Sequence, residues 1–95
     1  MQFDWDPDKR ARNFAKHGVA FDDAIAVFRD PLALTRPDDD HDGNEERWVT
    51  LGAGRGGRLF LVVHTHRQVN DELAIVRMIS ARFPTKREIR DYEEG

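Results

Sequence analysis

Histidine moves protons near neutral pH, and arginine's planar fork holds the oxygens of phosphate or carboxylate groups. This chain offers several of each at telling places. Arg77 interrupts an otherwise apolar run from Leu73 to Ser80. An unpaired guanidinium is too costly to bury, so Arg77 must face solvent or a carboxylate such as Glu46. Arg82 closes the same run. Their odd separation puts Arg77 and Arg82 on opposite faces of a regular strand, unless the chain bends near Ser80-Ala81. His64 and His66 share a face of the preceding strand, and His64, nearer its middle, is placed to reach an open sheet face. Lys16 and His17 form a basic pair that reads equally as reactive groups or as cations facing the last carbonyls of a helix. Arg47 and Trp48 open another strand, where Trp48 alternates against Val49 and Leu51 and is either an exposed flat ring or a core side chain. Lys86 and Arg87 lie on a late helix whose outer faces are basic. There is no cysteine, so thiolate chemistry, disulfides and thiolate metal sites are excluded.

These groups need elements to hold them. Asp6 and Pro7 start a helix, cap then first residue, and Lys16-His17-Gly18 ends it. Ala11, Phe14 and Ala15 make its apolar stripe. Asp22 reads as the cap of a second helix, Asp23 to about Arg29, with Ala24, Val27 and Phe28 inward and Pro31 beyond. Leu32–Thr35 is a short strand. From Arg47 the period becomes extended: a strand over 47–51, a Gly54–Gly57 hairpin turn, and a strand over 59–63 that is apolar on both faces and therefore central. A turn over 68–71 leads into the strand from Leu73 to Ser80. Thr85 and Glu88 write a capping box for the last helix, with Ile89 and Tyr92 inward. The expected fold is α+β: two N-terminal helices, an antiparallel sheet of about four strands and a C-terminal helix, with one sheet face open.

The 95 residues suffice for one domain and one core. The net charge of −3 conceals an asymmetry: residues 1–46 carry twelve acids against six bases, while residues 47–95 carry six acids against nine bases, eight of them arginine. A mildly acidic chain thus retains the means to present a basic face. No long apolar run or leader pattern is visible, which points to the cytoplasm and away from a membrane. Asp38-x-Asp40-x-Asp42-Gly43 matches the start of a calcium loop, but the twelfth position is Val49 and no helix pair flanks it, so a solvated loop is expected and no metal or cofactor.

Several blocks together resemble the BrnT toxin family: Phe3-x-Trp5-Asp6-Pro7-x-Lys9, Asn13, Lys16-His17-Gly18-Val19-x-Phe21-x-x-Ala24, Asp30-Pro31, Glu46-Arg47-Trp48, Gly52, Arg77-Met78-Ile79-Ser80-Ala81-Arg82, and Thr85-Lys86-Arg87-Glu88 leading to Tyr92-Glu93. The resemblance spans essentially the whole of residues 1–95. It departs at Thr65-His66-Arg67, where relatives often carry Thr-Glu-Arg. It implies a RelE-like fold, metal-independent endoribonuclease activity that inhibits translation and growth, and neutralisation by a BrnA-type ribbon-helix-helix antitoxin in a hetero-oligomer that represses its own promoter. Operator DNA would be reached only through that antitoxin. Such cleavage needs a base for the 2′-hydroxyl, cations for the phosphate and an acid for the leaving 5′-oxygen. Arg77, Arg82, His64, Lys16 and His17 are the catalytic candidates; Arg47, Trp48, Lys86 and Arg87 are the RNA-binding candidates. The alternative is a non-catalytic module that binds the antitoxin and acts as its co-repressor.

Overall fold

In a computed structural model, residues 1–39 and 46–95 are described. The potential calcium ligands Asp40 and Asp42 lie outside them. The elements run β1 (Gln2–Asp4), α1 (Pro7–His17), α2 (Phe21–Ala24) continuing into a 3₁₀ turn (Ile25–Arg29), β2 (Leu34–Pro37), β3 (Trp48–Ala53), β4 (Leu59–His64), β5 (Arg67–Gln68), β6 (Ala74–Arg82) and α3 (Lys86–Glu94). The sheet order is β1-β6-β4-β3-β2, with β5 also on β6. The four strands β2, β3, β4 and β6 are antiparallel, as the sequence leads one to expect. Two short strands add to them: β1 runs parallel to β6, with Asp4 opposite Arg77, and β5 pairs antiparallel with Ala74 and Ile75. The sheet is therefore mixed. Three and two residues are too few to show a period in sequence, and both strands exist because β6 offers them an edge.

The main core lies between the sheet and the helices. Val19, Phe21, Ala24 and Val27 pack there on Phe60, Val62, Met78 and Ala81. Val49, Leu51 and Leu61 form a second cluster on the other face, partly covered by Tyr92 of α3. That helix is tied across the molecule through Asp30, whose carboxylate accepts from the Tyr92 hydroxyl at 2.6 Å and from the backbone N–H groups of Ala53 and Leu32. The Tyr92 hydroxyl, with the two N–H groups, holds the Asp30 carboxyl below its usual range. Gly54 is required by space: a Cβ there would clash with the Phe60 ring and stand 2.6 Å from the Asp23 carbonyl oxygen.

The caps of α1 follow the sequence. Asp6 accepts from the Asp8 N–H at 2.9 Å, and Gly18, at φ 71°, donates to the Phe14 carbonyl at 2.8 Å. Its packing face does not. Ala11, Phe14 and Ala15 all face solvent, and Phe14 is 56% exposed. The helix docks instead by the stripe Arg10, Asn13 and His17, the residues of α1 that lose most exposure. Asn13 is the anchor. Its Nδ2 donates to the carbonyls of Val19 at 3.0 Å and Ala81 at 2.9 Å, and its Oδ1 accepts the Ala81 N–H at 3.0 Å. The second helix also begins earlier than expected. Its N-cap is Ala20, because fully buried Phe21, edge-on to Trp5, takes the first helical position. Asp22, freed from capping, pairs with Arg10 at 2.7 Å.

Replacing Asn13 with alanine would orphan buried donors and acceptors on two segments. Urea unfolding of Asn13→Ala is expected to show a loss of about 2–3 kcal/mol, and Asn13→Asp a larger one because a carboxylate would face two carbonyl oxygens. A loss below about 0.5 kcal/mol would contradict the anchoring role.

Candidate RNA-cleavage site

Sheet geometry decides where the candidate side chains meet. In β4 and β6, His64 pairs with Met78 but Val63 pairs with Ser80, so Ile79 is an extra residue on β6. Such a bulge reverses the alternation beyond it. Before it Val76 and Met78 point into the core, and after it Ala81 does. Arg77 and Arg82 consequently share the face opposite the main core, the face that α3 partly covers, and the bend that sequence alternation required is present. The strand still separates them by about 16 Å at its ordinary rise, and their surroundings differ.

Arg82 is committed to α3. Its two terminal nitrogens reach the two oxygens of Glu88 at 2.9 and 3.0 Å. Glu88 in turn accepts the Thr85 N–H at 2.8 Å and returns its own N–H to the Thr85 hydroxyl, completing the expected capping box. The Arg82 fork pushes the Glu88 carboxyl down to about 2. Arg77 lines a cleft of about 430 Å³ with Asp4, Glu46, Thr65, His66, Arg67 and Ile75. Its N–H and carbonyl bond to Thr65, at 3.3 Å to the hydroxyl and 3.0 Å from the N–H. Carboxylates thus stand in the same cleft as this arginine.

His64 corrects the sequence expectation of reach to the open face. It lies on the helix side, 4% exposed, edge-on to Phe28 at 4.8 Å between ring centroids. Its Nε2 lies 2.7 Å from the Thr50 hydroxyl and its Nδ1 3.0 Å from the Thr65 carbonyl. Burial lowers its pKa, against the pull of the Thr65 carbonyl. Trp48 is half-buried and lines a hollow with Thr35, Glu46, His64, His66 and Gln68. Lys86 and Arg87 are exposed on the first turn of α3 and line none of these clefts.

Lys16, His17 and Arg47 do come together. They line a groove of about 340 Å³ between α1 and the open sheet face, with Lys9, Arg12, Asn13, Ile79 and Ser80. The Asn13 anchor sets the helix beside β6, and the bulge turns Ile79 and Ser80 toward it. Among its described lining residues are five basic groups and no carboxylate. The Arg47 Nε is buried without a hydrogen-bond partner among the described residues. Lys9 and Arg12 are absent from the sequence-derived candidates, yet Lys9, Arg12 and Lys16 fall at i, i+3 and i+7 and so share a helix stripe. Ser80 carries no such signal, because only the bulge brings it round.

The matching family model covers residues 5–88 and describes a ribonuclease toxin, BrnT, of a type II toxin–antitoxin system. The chain belongs to the BrnT family. It is similar to the crystal structure of the Brucella abortus ribonuclease toxin BrnT, with 28% sequence identity and a TM-score of 0.65 over 90% of this chain and 99% of that one. The search of curated proteins finds no match. As a BrnT-family member the chain is an endoribonuclease toxin with a cognate antitoxin as its partner. No helix among the described residues is long and apolar enough to cross a membrane, and no group of three or more His, Asp or Glu there is arranged to hold a metal ion.

The Glu88–Arg82 pair gives a pH test of this BrnT structure. The folded carboxyl ionises near 2, below its ordinary 4.5, so its stabilisation is complete above about pH 4.5 and disappears as pH falls toward 2. In Glu88→Gln, the acid-unfolding curve is expected to lose slope within that window. An unchanged slope would show that the pair does not persist in solution.

Proposed function

We propose that the groove between α1 and the open sheet face is where this BrnT-family toxin cleaves RNA. What supports this reading is the convergence of Lys9, Arg12, Lys16, His17 and Arg47 on one groove without a carboxylate among its described lining residues. A phosphodiester is drawn to such a surface, and charge developing on it in the transition state is stabilised by cations already in place. Arg47 has an Nε without a partner among the described residues and a fork suited to the non-bridging oxygens.

In this reading neutral His17 takes the proton of the ribose 2′-hydroxyl as that oxygen attacks phosphorus. The P–O5′ bond breaks, and the Lys16 ammonium supplies a proton to the departing 5′-oxygen. The products are a 2′,3′-cyclic phosphate and a 5′-hydroxyl, and solvent resets the two groups. Protein cations do the charge-neutralising work that a carboxylate-held metal does elsewhere, so the cleavage is metal-independent. Arg77 and His66 extend the path for flanking nucleotides, with Trp48 beyond them. Arg82 acts by holding α3.

Residues 1–95 act as one toxin domain in the cytoplasm, with mRNA cleavage inhibiting translation. The antitoxin is of BrnA type, with a ribbon-helix-helix part through which the pair reaches operator DNA and represses its own promoter. Cleavage of single-stranded RNA by the purified toxin, with ribosomes and without, tests the central point. Cutting is expected to continue in EDTA and to fall about 10²–10⁴-fold in Lys16→Ala and His17→Ala with the circular dichroism unchanged. Wild-type rates in both folded variants would remove the groove from the mechanism. No cleavage under any condition would favour the non-catalytic co-repressor.

A further inference from the structure

Among the described residues, the outward strip of α1 has no partner. Ala11, Phe14 and Ala15 are all exposed, and they occupy i, i+3 and i+4 of a helix that docks by another face. Isolated exposed apolar residues are ordinary. This strip differs because of what stands beside it. At about 100° per residue, Arg12 and Lys16 lie between the strip and the cationic groove, and both line that groove. Among the described residues, no carboxylate pairs with Lys9, Arg12 or Lys16. On the opposite flank Arg10 is already neutralised by Asp22.

We propose that this face of α1 is the seat of the antitoxin, and that it takes a segment whose apolar side chains cover Phe14, Ala11 and Ala15 in turn around the helix and whose acidic side chains reach Arg12 and Lys16 beyond Ala15. Charge complementarity selects that chemistry. An apolar ridge whose one flank carries Arg12 and Lys16 against a single acid, Asp8, rewards an apolar segment with acids on that side. The consequence rests on the groove reading above: a segment seated there neutralises two of the cations that would hold RNA, so docking and inhibition become one event.

The test is calorimetric titration of the cognate antitoxin into folded toxin, with RNA cleavage measured in parallel. Phe14 is exposed, so Phe14→Glu should fold as the wild type does, and Ala15→Arg gives a second disruption of the same strip. Phe14→Glu is expected to weaken antitoxin binding about 100-fold or more while leaving RNA cleavage unchanged. Phe14→Leu should restore most of the affinity, and wild-type affinity should fall as salt rises. Unchanged affinity in both Phe14→Glu and Ala15→Arg would overturn the proposal. So would a variant that loses RNA cleavage but keeps the antitoxin, which would make the strip an RNA platform. Salt-independent affinity would overturn the acidic part. Because antitoxin binding is read without RNA, these outcomes stand apart from any failure of Lys16 and His17 to matter in cleavage.

Discussion

The three hydrogen bonds of Asn13 hold this molecule's working arrangement together. A buried amide that donates to Val19 and Ala81 and accepts from Ala81 fixes α1 against the end of β6. No α1 residue belongs to either buried apolar cluster of the described residues. Every other α1 side chain is thereby left half-buried or exposed. A helix fastened through Asn13, with Arg10 paired to Asp22 beside it, leaves its remaining surface to other roles. Lys9, Arg12, Lys16 and His17 go to the groove, while Ala11, Phe14 and Ala15 go to solvent. Buried polar networks carry high stakes, because a half-satisfied one costs more than none, and here each Asn13 atom is matched.

The second constraint is the bulge in β6. One extra residue at Ile79 lets a nine-residue strand bury Val76 and Met78 on one side of it and Ala81 on the other, all toward the helices. The opposite face then receives Arg77, Ser80 and Arg82 in succession along the strand. They do not form one cluster. Arg82 is consumed by Glu88, Arg77 shares a cleft with Glu46 and Asp4, and Ser80 joins the cations of α1. A chain with a net charge of −3 thus concentrates positive charge by topology: the bases of α1 come from its acidic first half, and Arg47 from its basic second half.

Local signals were legible wherever chemistry is local. Asp6, Pro7 and Gly18 bounded α1, Thr85 and Glu88 capped α3, and unbroken apolarity marked β4 as central. The site was less legible because it depends on contacts far apart in sequence. Periodicity marked Ala11, Phe14 and Ala15 as the buried stripe, since it weighs apolar residues and cannot see that one asparagine will find a strand end sixty-eight residues away. Position along the strand suggests that His64 reaches the open sheet face, yet the hydroxyl that holds it on the other side belongs to Thr50 on a neighbouring strand. Alternation allows Arg77 and Arg82 to share a face only through a bend near Ser80, which is present, but the salt bridge that occupies Arg82 comes from the capping box of the next helix.

The central claim is that α1 and the bulged strand together hold the RNA backbone. Its most direct test is to titrate the isotopically labelled toxin with a short RNA made uncleavable by 2′-O-methylation and follow the NMR signals of backbone and side chains. The expected result is that shifts concentrate on Lys9, Arg12, Lys16, His17, Arg47 and Ser80. Shifts confined to α3, or to the Arg77 cleft with the α1 residues unmoved, would contradict it.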